Sequence, residues 1–425
     1  MTTYLSERAK NGLKGRLHVP GDKSISHRCL LLAAKADGTS TIRGLSEGHD
    51  VAHTLDAIEA FGAEVDRFAT GAIRVRGGSP SEPQTVIDVG NSGTGIRLLS
   101  GWAAGVDGVT VLVGDKSIAR RPMDRVAEPL RQMGARIDGR EGGRFPPLVV
   151  RGGSLHGIEY RVPVPSAQVK GAVLLAGISA DGATTVLEDA TTRIHTEELL
   201  AQCGADISVS PGRVTVRRSV LSPLDIDVPG DPSQAAFWIV AACVTPGSDL
   251  TVERVYTGVA RAGFLEVLRR MGADIQVTDE DPANSTSTIR ARYSPLTSTR
   301  VDGTEVPTLI DEIPVLAVAA ALADGETVFA DASELKVKES DRIASTVAAL
   351  SSIGGTAEPR DDGLVVWGSG GKPLAGGAVD AAGDHRIAMA MAVAGMASAS
   401  RVSIEGWDSV MTSYPDFEQD QRRCA

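Results

Sequence analysis

Val19-Pro20-Gly21-Asp22-Lys23-Ser24-Ile25-Ser26-His27-Arg28, running on into the apolar stretch Cys29–Ala34, decides how the rest of this chain is read. Pro20-Gly21-Asp22 is turn chemistry, and Asp22, Ser24 or Ser26 can cap the helix that the apolar stretch predicts. Ser24 and Arg28 then share a helical face, with Lys23 just ahead of it. Two cations, a hydroxyl and unpaired backbone N–H groups can converge there on one anion. An ordinary capped helix with solvated charges explains the stretch equally well.

The pattern of polar cap, apolar helix, Gly or Asp turn and β-rich strand begins at Asp22 and returns five times, at Asn91, Ser166, Asp231, Asp311 and Asp384. Between these copies runs a second element, an amphipathic helix ending in Gly and leading into a strand. Its glycines, Gly62, Gly134, Gly204, Gly272 and Gly354, are 72, 70, 68 and 82 residues apart. A Gly just past a helix is the usual left-handed C-terminal cap. Six copies of one supersecondary unit, with helix and strand alternating, give an α/β (α+β) class and divide into two halves of three. The break is expected near Leu224–Pro232, with a second crossing near Val19–Gly21. Residues 1–19 with 229–425 then form one lobe and 20–228 the other, with the active site expected in the cleft. Several helix starts led by small polar residues favour an anionic ligand.

The chain has 425 residues, too many for one core, and a net charge of −11. That balance argues against nucleic acid or an anionic membrane as partner, so basic clusters need a local reason. No apolar run is long enough to span a bilayer and no signal pattern opens the chain, so a cytoplasmic protein is expected. Cys29, Cys203, Cys243 and Cys424 are scattered, fitting neither a disulfide framework nor a zinc site, and free thiols are expected.

Three constellations can carry chemistry. Lys338, Glu339 and Arg342 would share a face if helical, which suits either anion binding beside an ionisable carboxylate or a surface salt-bridged helix. Asp311-Glu312 precedes a wholly apolar helix; Asp311 can cap it or act as a base, and the sequence leaves both open. Arg386 follows Asp384-His385 at another helix start and suits an anion clamp. Gly90-Asn91-Ser92-Gly93-Thr94-Gly95 lacks both the Lys-Ser/Thr of a nucleotide-phosphate loop and the pattern of a dinucleotide site, so neither ATP nor NAD is inferred. No cluster has convincing metal spacing.

Taken together, PGDKSISHR, NSGTG, RRPM, SAQVK, TRIHTE, IDEIPVLA, KESDR and DHRIAM, in this order along essentially the whole chain, resemble the 5-enolpyruvylshikimate-3-phosphate synthases. The resemblance implies the two-lobed enolpyruvyl transferase fold, an inside-out α/β barrel with three βαβαββ units per lobe. It also implies transfer of the enolpyruvyl group of phosphoenolpyruvate to shikimate 3-phosphate, in a monomer with no cofactor. Carried over, Lys23, Ser24, Arg28, Ser166, Ala167, Gln168, Arg193, Asp311 and Lys338 would bind shikimate 3-phosphate. Lys23, Gly93, Arg121, Gln168, Arg342 and Arg386 would bind phosphoenolpyruvate. Asp311, Glu339 and Lys23 would serve catalysis. Ala167 offers only backbone where many members have Ser, and Thr412 stands where many carry Lys. The rival readings are an enolpyruvyl transferase acting on UDP-N-acetylglucosamine, whose reactive Cys is missing from Gly114–Pro122, and a non-catalytic anion-binding paralogue.

Overall fold

The computed structural model describes residues 2–303 and 305–425. The chain forms two compact modules. Module A, Gly21–Val228, holds α1 (Lys23–Lys35), α2 (His49–Ala60), α3 (Gly93–Ala104), α4 (Asp124–Gln132), α5 (Ala167–Gly177) and α6 (His195–Gln202). Module B, Met1–Pro20 with Pro229–Ala425, holds α7 (Pro232–Val244), α8 (Gly263–Arg270), α9 (Ile313–Leu322), α10 (Arg342–Ser352), α11 (His385–Ala397) and α12 (Phe417–Cys424).

Within each module the helices alternate in character. Every residue of α7, α9 and α11 is buried, and these three pack against one another. A helix that is apolar all round has to be surrounded, and small side chains such as those of Ala317, Ala319 and Ala394 let such helices approach closely. In module A, α1, α3 and α5 are the buried helices, with α3 packed on both of the others. The helices between them bury one stripe each, as with Val51, Thr54 and Ile58 of α2 or Phe264, Val267 and Leu268 of α8. The five glycines that end these amphipathic helices all have positive φ, from +74° at Gly204 to +106° at Gly134, as left-handed caps require.

Among the described residues the strands make five four-stranded sheets and one of three strands. Four sheets contain a local parallel crossover through a buried helix. Ile87–Asp88 and Gly108–Val113 flank α3, and Glu159–Arg161 and Ala183–Leu187 flank α5. Arg300–Val301 and Glu326–Phe329 flank α9, and Gly377–Asp380 and Val402–Glu405 flank α11. The remaining two are assembled differently. In module A, Thr39–Arg43, which follows α1, takes Asp225–Asp227 from the far end of the module as its parallel partner. In module B, Asp249–Tyr256, which follows α7, takes Lys14–Leu17. Each module thereby supplies every buried helix with a parallel strand pair beneath it, although the chain passes between modules twice.

The entry into module A is tight. A Cβ on Gly21 would lie 1.9 Å from the carbonyl oxygen of Gly44, and that oxygen is backbone and cannot swing aside. Gly21→Ala is expected to cost about 1–3 kcal/mol, the usual range for overpacking. The readout is the denaturation midpoint of the purified protein, and an unchanged midpoint would mean that the turn relaxes freely.

Candidate functional site

In module A the starts of α1, α3 and α5 are stitched together by side chains. Asp22 caps α1, its Oδ1 accepting from the Ile25 N–H at 2.9 Å, so the caps at Ser24 and Ser26 that the sequence also allows are not used. Lys23 opens the helix with its ammonium 2.8 Å from Asp50 of α2. Arg28, one turn on, is 2% exposed. Its guanidinium donates to the Ser24 carbonyl at 2.9 Å, the Thr196 hydroxyl at 2.6 Å and the Ala167 carbonyl at 3.4 Å. Burial lowers its pKa to about 10, Glu197 and Asp22 act against that, and the nearby Arg193 adds to it. Arg28 therefore stays charged at neutral pH in a site already rich in positive charge.

Ser166 caps α5 through the Val169 N–H, leaving Ala167 and Gln168 as its first helical residues. Gln168 donates to the Thr94 hydroxyl at 2.9 Å and accepts from Arg97 at 3.0 Å. Arg97 also donates to the Gly93 carbonyl at 3.0 Å, so it fixes the start of α3 against that of α5. Arg121 lies directly over Gly93: a Cβ there would sit 2.1 Å from a guanidinium nitrogen of Arg121 and 3.2 Å from one of Arg97. Among these residues Arg193 is half-buried in the loop before α6.

His27 holds this arrangement from behind. It is fully buried, with Nδ1 2.7 Å from the Thr54 hydroxyl and Nε2 3.3 Å from that of Ser92, which caps α3. The ring thus ties Thr54 of α2 to the capping serine of α3 through two hydroxyls, one nitrogen of the neutral imidazole donating and the other accepting.

In module B the carboxylates and cations form one array around Arg342, which is 1% exposed and opens α10. Asp384, the cap of α11, takes two of its nitrogens at 2.8 and 3.3 Å, Asp311 takes a third contact at 3.2 Å and Glu339 another at 2.5 Å. Lys338 lies 3.2 Å from Asp311, and Arg386 donates to the Asp311 carbonyl at 3.1 Å. Burial alone would favour a neutral Arg342, but Asp384, Glu339 and Asp311 outweigh it and raise its pKa. Asp384 is held ionised against its own burial chiefly by Arg342.

Two expectations need correction here. Lys338 and Glu339 are not on a helix with Arg342. Asp341 accepts from the Ile343 and Ala344 N–H groups, so α10 starts only at Arg342, and Lys338 and Glu339 lie in the loop before it. Asp311 does not cap α9 either, because its carboxylate is spent on Lys338 and Arg342, and Glu312 stands at the cap position without a capping bond. Thr412 turns its hydroxyl to the Ser409 carbonyl at 2.7 Å.

The expected residues thus fall into two groups. Module A gathers Lys23, Ser24, Arg28, Gly93, Arg121, Ser166, Ala167, Gln168 and Arg193; module B gathers Asp311, Lys338, Glu339, Arg342 and Arg386. Sequence reading missed the supports: Asp50, Arg97 as an organiser, Thr196 and Asp384. Their signal was present only as polar residues at helix starts. Among the described residues no group of three or more His, Cys, Asp and Glu is placed to hold a metal ion, and no helix is long and apolar enough to cross a membrane.

A sequence model described as EPSP synthase (3-phosphoshikimate 1-carboxyvinyltransferase) matches residues 8–420. Among curated relatives, proteins named 3-phosphoshikimate 1-carboxyvinyltransferase from Phenylobacterium zucineum and a Synechococcus species are 48% and 47% identical. The alignments cover 99% and 96% of this chain and 94% and 93% of theirs. A solved EPSP synthase from Acinetobacter baumannii superposes with a TM-score of 0.88 at 38% identity, covering 100% of this chain and 98% of its own. The enolpyruvyl transferase NikO of Streptomyces tendae, 18% identical, covers 99% of this chain and 97% of its own at a TM-score of 0.80, and so shares the fold.

His27 sets an acid limit on module A. Burial, with help from Lys23 and Arg28, lowers its pKa well below 6.5, so the folded form keeps it neutral while the unfolded chain protonates it near 6.5. The unfolded state then binds more protons, and this contribution is complete above pH 6.5 and declines as pH falls toward the folded pKa. His27→Gln should show a shallower loss of stability below pH 6.5 than the parent, in urea titrations at stepped pH. Parallel curves would remove His27 from the acid response.

Proposed function

The chain belongs to the EPSP synthase family, and from that premise we propose that it transfers the enolpyruvyl group of phosphoenolpyruvate to the 5-hydroxyl of shikimate 3-phosphate, releasing phosphate. The observation that carries the proposal is the array around Arg342, where the Asp311 and Glu339 carboxylates both pair with its guanidinium and Asp311 also with Lys338. Lys23, Ser24, Arg28, Ser166, Ala167, Gln168 and Arg193 bind shikimate 3-phosphate, joined by Asp311 and Lys338. Lys23, Gly93, Arg121, Gln168, Arg342 and Arg386 bind phosphoenolpyruvate.

The reaction adds an O–H across a C=C bond and then eliminates phosphate. Asp311, with Lys23 assisting, takes the proton of the 5-hydroxyl as its oxygen bonds to C2 of phosphoenolpyruvate. Glu339 delivers a proton to C3, completing a tetrahedral intermediate. The C2–O bond to phosphate then breaks, and C3 returns a proton as the enol ether double bond forms. A carboxylate suits both directions of transfer when it reaches the reacting atom. The cations and backbone N–H groups offset the repulsion between two polyanionic substrates and hold the departing phosphate. In this reading the enzyme acts as a monomer. Its four cysteines are buried and unpaired, which fits the reducing cytoplasm.

Phosphate release from purified protein tests this directly. It is expected with shikimate 3-phosphate plus phosphoenolpyruvate and not with either alone. UDP-N-acetylglucosamine should not replace the acceptor; release with it would favour the sister transferase, and silence with both acceptors a non-catalytic protein. Asp311→Ala should lower kcat by about a hundredfold or more while shikimate 3-phosphate still binds. Normal turnover would remove Asp311 from the proton transfer.

Gly93→Ala separately tests the phosphoenolpyruvate assignment. Its methyl group pushes the Arg121 guanidinium off its place, and losing one charge-assisted contact raises KM for phosphoenolpyruvate roughly tenfold. An unchanged KM would count against Arg121 as a ligand.

A further inference from the structure

Lys170 and Glu197 belong to the SAQVK and TRIHTE stretches but have no part in the chemistry above. Lys170, in the first turn of α5, is 1% exposed, and Glu197, in the first turn of α6, is 3% exposed. The Lys170 ammonium lies 2.8 Å from Glu188 and 2.7 Å from Glu197. The other oxygen of Glu188 accepts the Thr192 hydroxyl at 2.7 Å. A buried ion costs several kcal/mol unless it is paired, so one ammonium between two carboxylates leaves a negative charge to balance. Glu197 also favours the positive form of Arg28.

The connections run to three ligand-bearing segments. Thr192 precedes Arg193. Glu197 follows Thr196, whose hydroxyl takes Arg28 Nε at 2.6 Å. Lys170 shares its helix with Ser166, Ala167 and Gln168, and Ala167 also receives Arg28. Arg193 disfavours the charge on Arg28, so holding both ready for one anion needs a counter-charge from within the fold.

We propose that Lys170, Glu188, Glu197 and Thr192 are positioning residues for shikimate 3-phosphate, holding the Arg193 loop and the Arg28 guanidinium in place before the phosphate arrives. The proposal rests on the substrate assignment above. It concerns one substrate and not the other, which separates it from a general stabilising role.

The test is steady-state kinetics with each substrate varied in turn, on the parent, Thr192→Val, Thr192→Ser and Glu188→Gln, alongside thermal midpoints. Thr192→Val keeps the side-chain shape and removes the tether to Glu188. It should raise KM for shikimate 3-phosphate roughly tenfold, the scale of one hydrogen bond to a charged group. KM for phosphoenolpyruvate and kcat should stay within about twofold of the parent, and Thr192→Ser should restore the parent value. Glu188→Gln repeats the comparison should Thr192→Val fail to fold. A shikimate 3-phosphate KM unmoved in both folded variants, or both KM values rising together, overturns the positioning role alone. A parent protein that releases no phosphate overturns the substrate assignment and this proposal with it.

Discussion

Helices that are apolar on every side leave no place for charge except their ends. In module B, α7, α9 and α11 are buried along their whole length, so Asp231, Asp384 and the Asp311-Glu312 pair stand where each helix meets its first unsatisfied N–H groups. The same holds for Asp22, Ser92 and Ser166 in module A. Partial positive charge from the helix starts adds to the arginines beside them, which is why an acidic chain presents concentrated anion-binding groups. Burial of the helices and location of the chemistry are two results of one constraint.

The repeats use this layout unequally. An arginine stands at or shortly before the second helix of four copies, as Arg121, Arg193, Arg261 and Arg342. Arg121 lies over the start of α3, and Arg342 bridges three carboxylates. Arg261 is consumed internally: it is 2% exposed, 2.6 Å from Asp231 and 3.4 Å from Glu312. Glu312 in turn lies 3.8 Å from Arg386, so the ion pairs of the fourth copy reach a cation of another copy in its own module. An internally neutralised guanidinium gives up ligand binding and gains a fixed position, because breaking a buried pair leaves a charge uncompensated.

Electrostatics in both modules are built in layers. Lys23 leans on Asp50, Arg28 on Thr196 beside Glu197, Arg342 on Asp384, and Arg386 on Glu312 and the Asp311 carbonyl. In the proposed reading the outer residues are those a polyanion would meet, and the inner ones keep the cations from splaying apart. Preorganised charge of this kind needs little rearrangement when negative charge shifts from the enol toward the departing phosphate.

What the sequence by itself determined is the local grammar: six polar starts before apolar runs, five glycine caps, and cations recurring at matching places. Each is set by a few neighbouring residues, as with Asp22 capping Ile25 or Gly134 at φ +106°, so it can be read without the fold. The family motifs added the names of the outer residues. Only the tertiary structure decided which strand lies beside which, pairing Lys14–Leu17 with Asp249–Tyr256 and Asp225–Asp227 with Thr39–Arg43 across some two hundred residues of sequence. It alone decided between the two roles left open for Asp311, giving its carboxylate ion-pair partners in place of a helix cap, and surrounded Lys170 with Glu188 and Glu197. Those choices depend on contacts between segments distant in sequence, where the cost of burying a charge is settled by whichever partner the packing brings within reach.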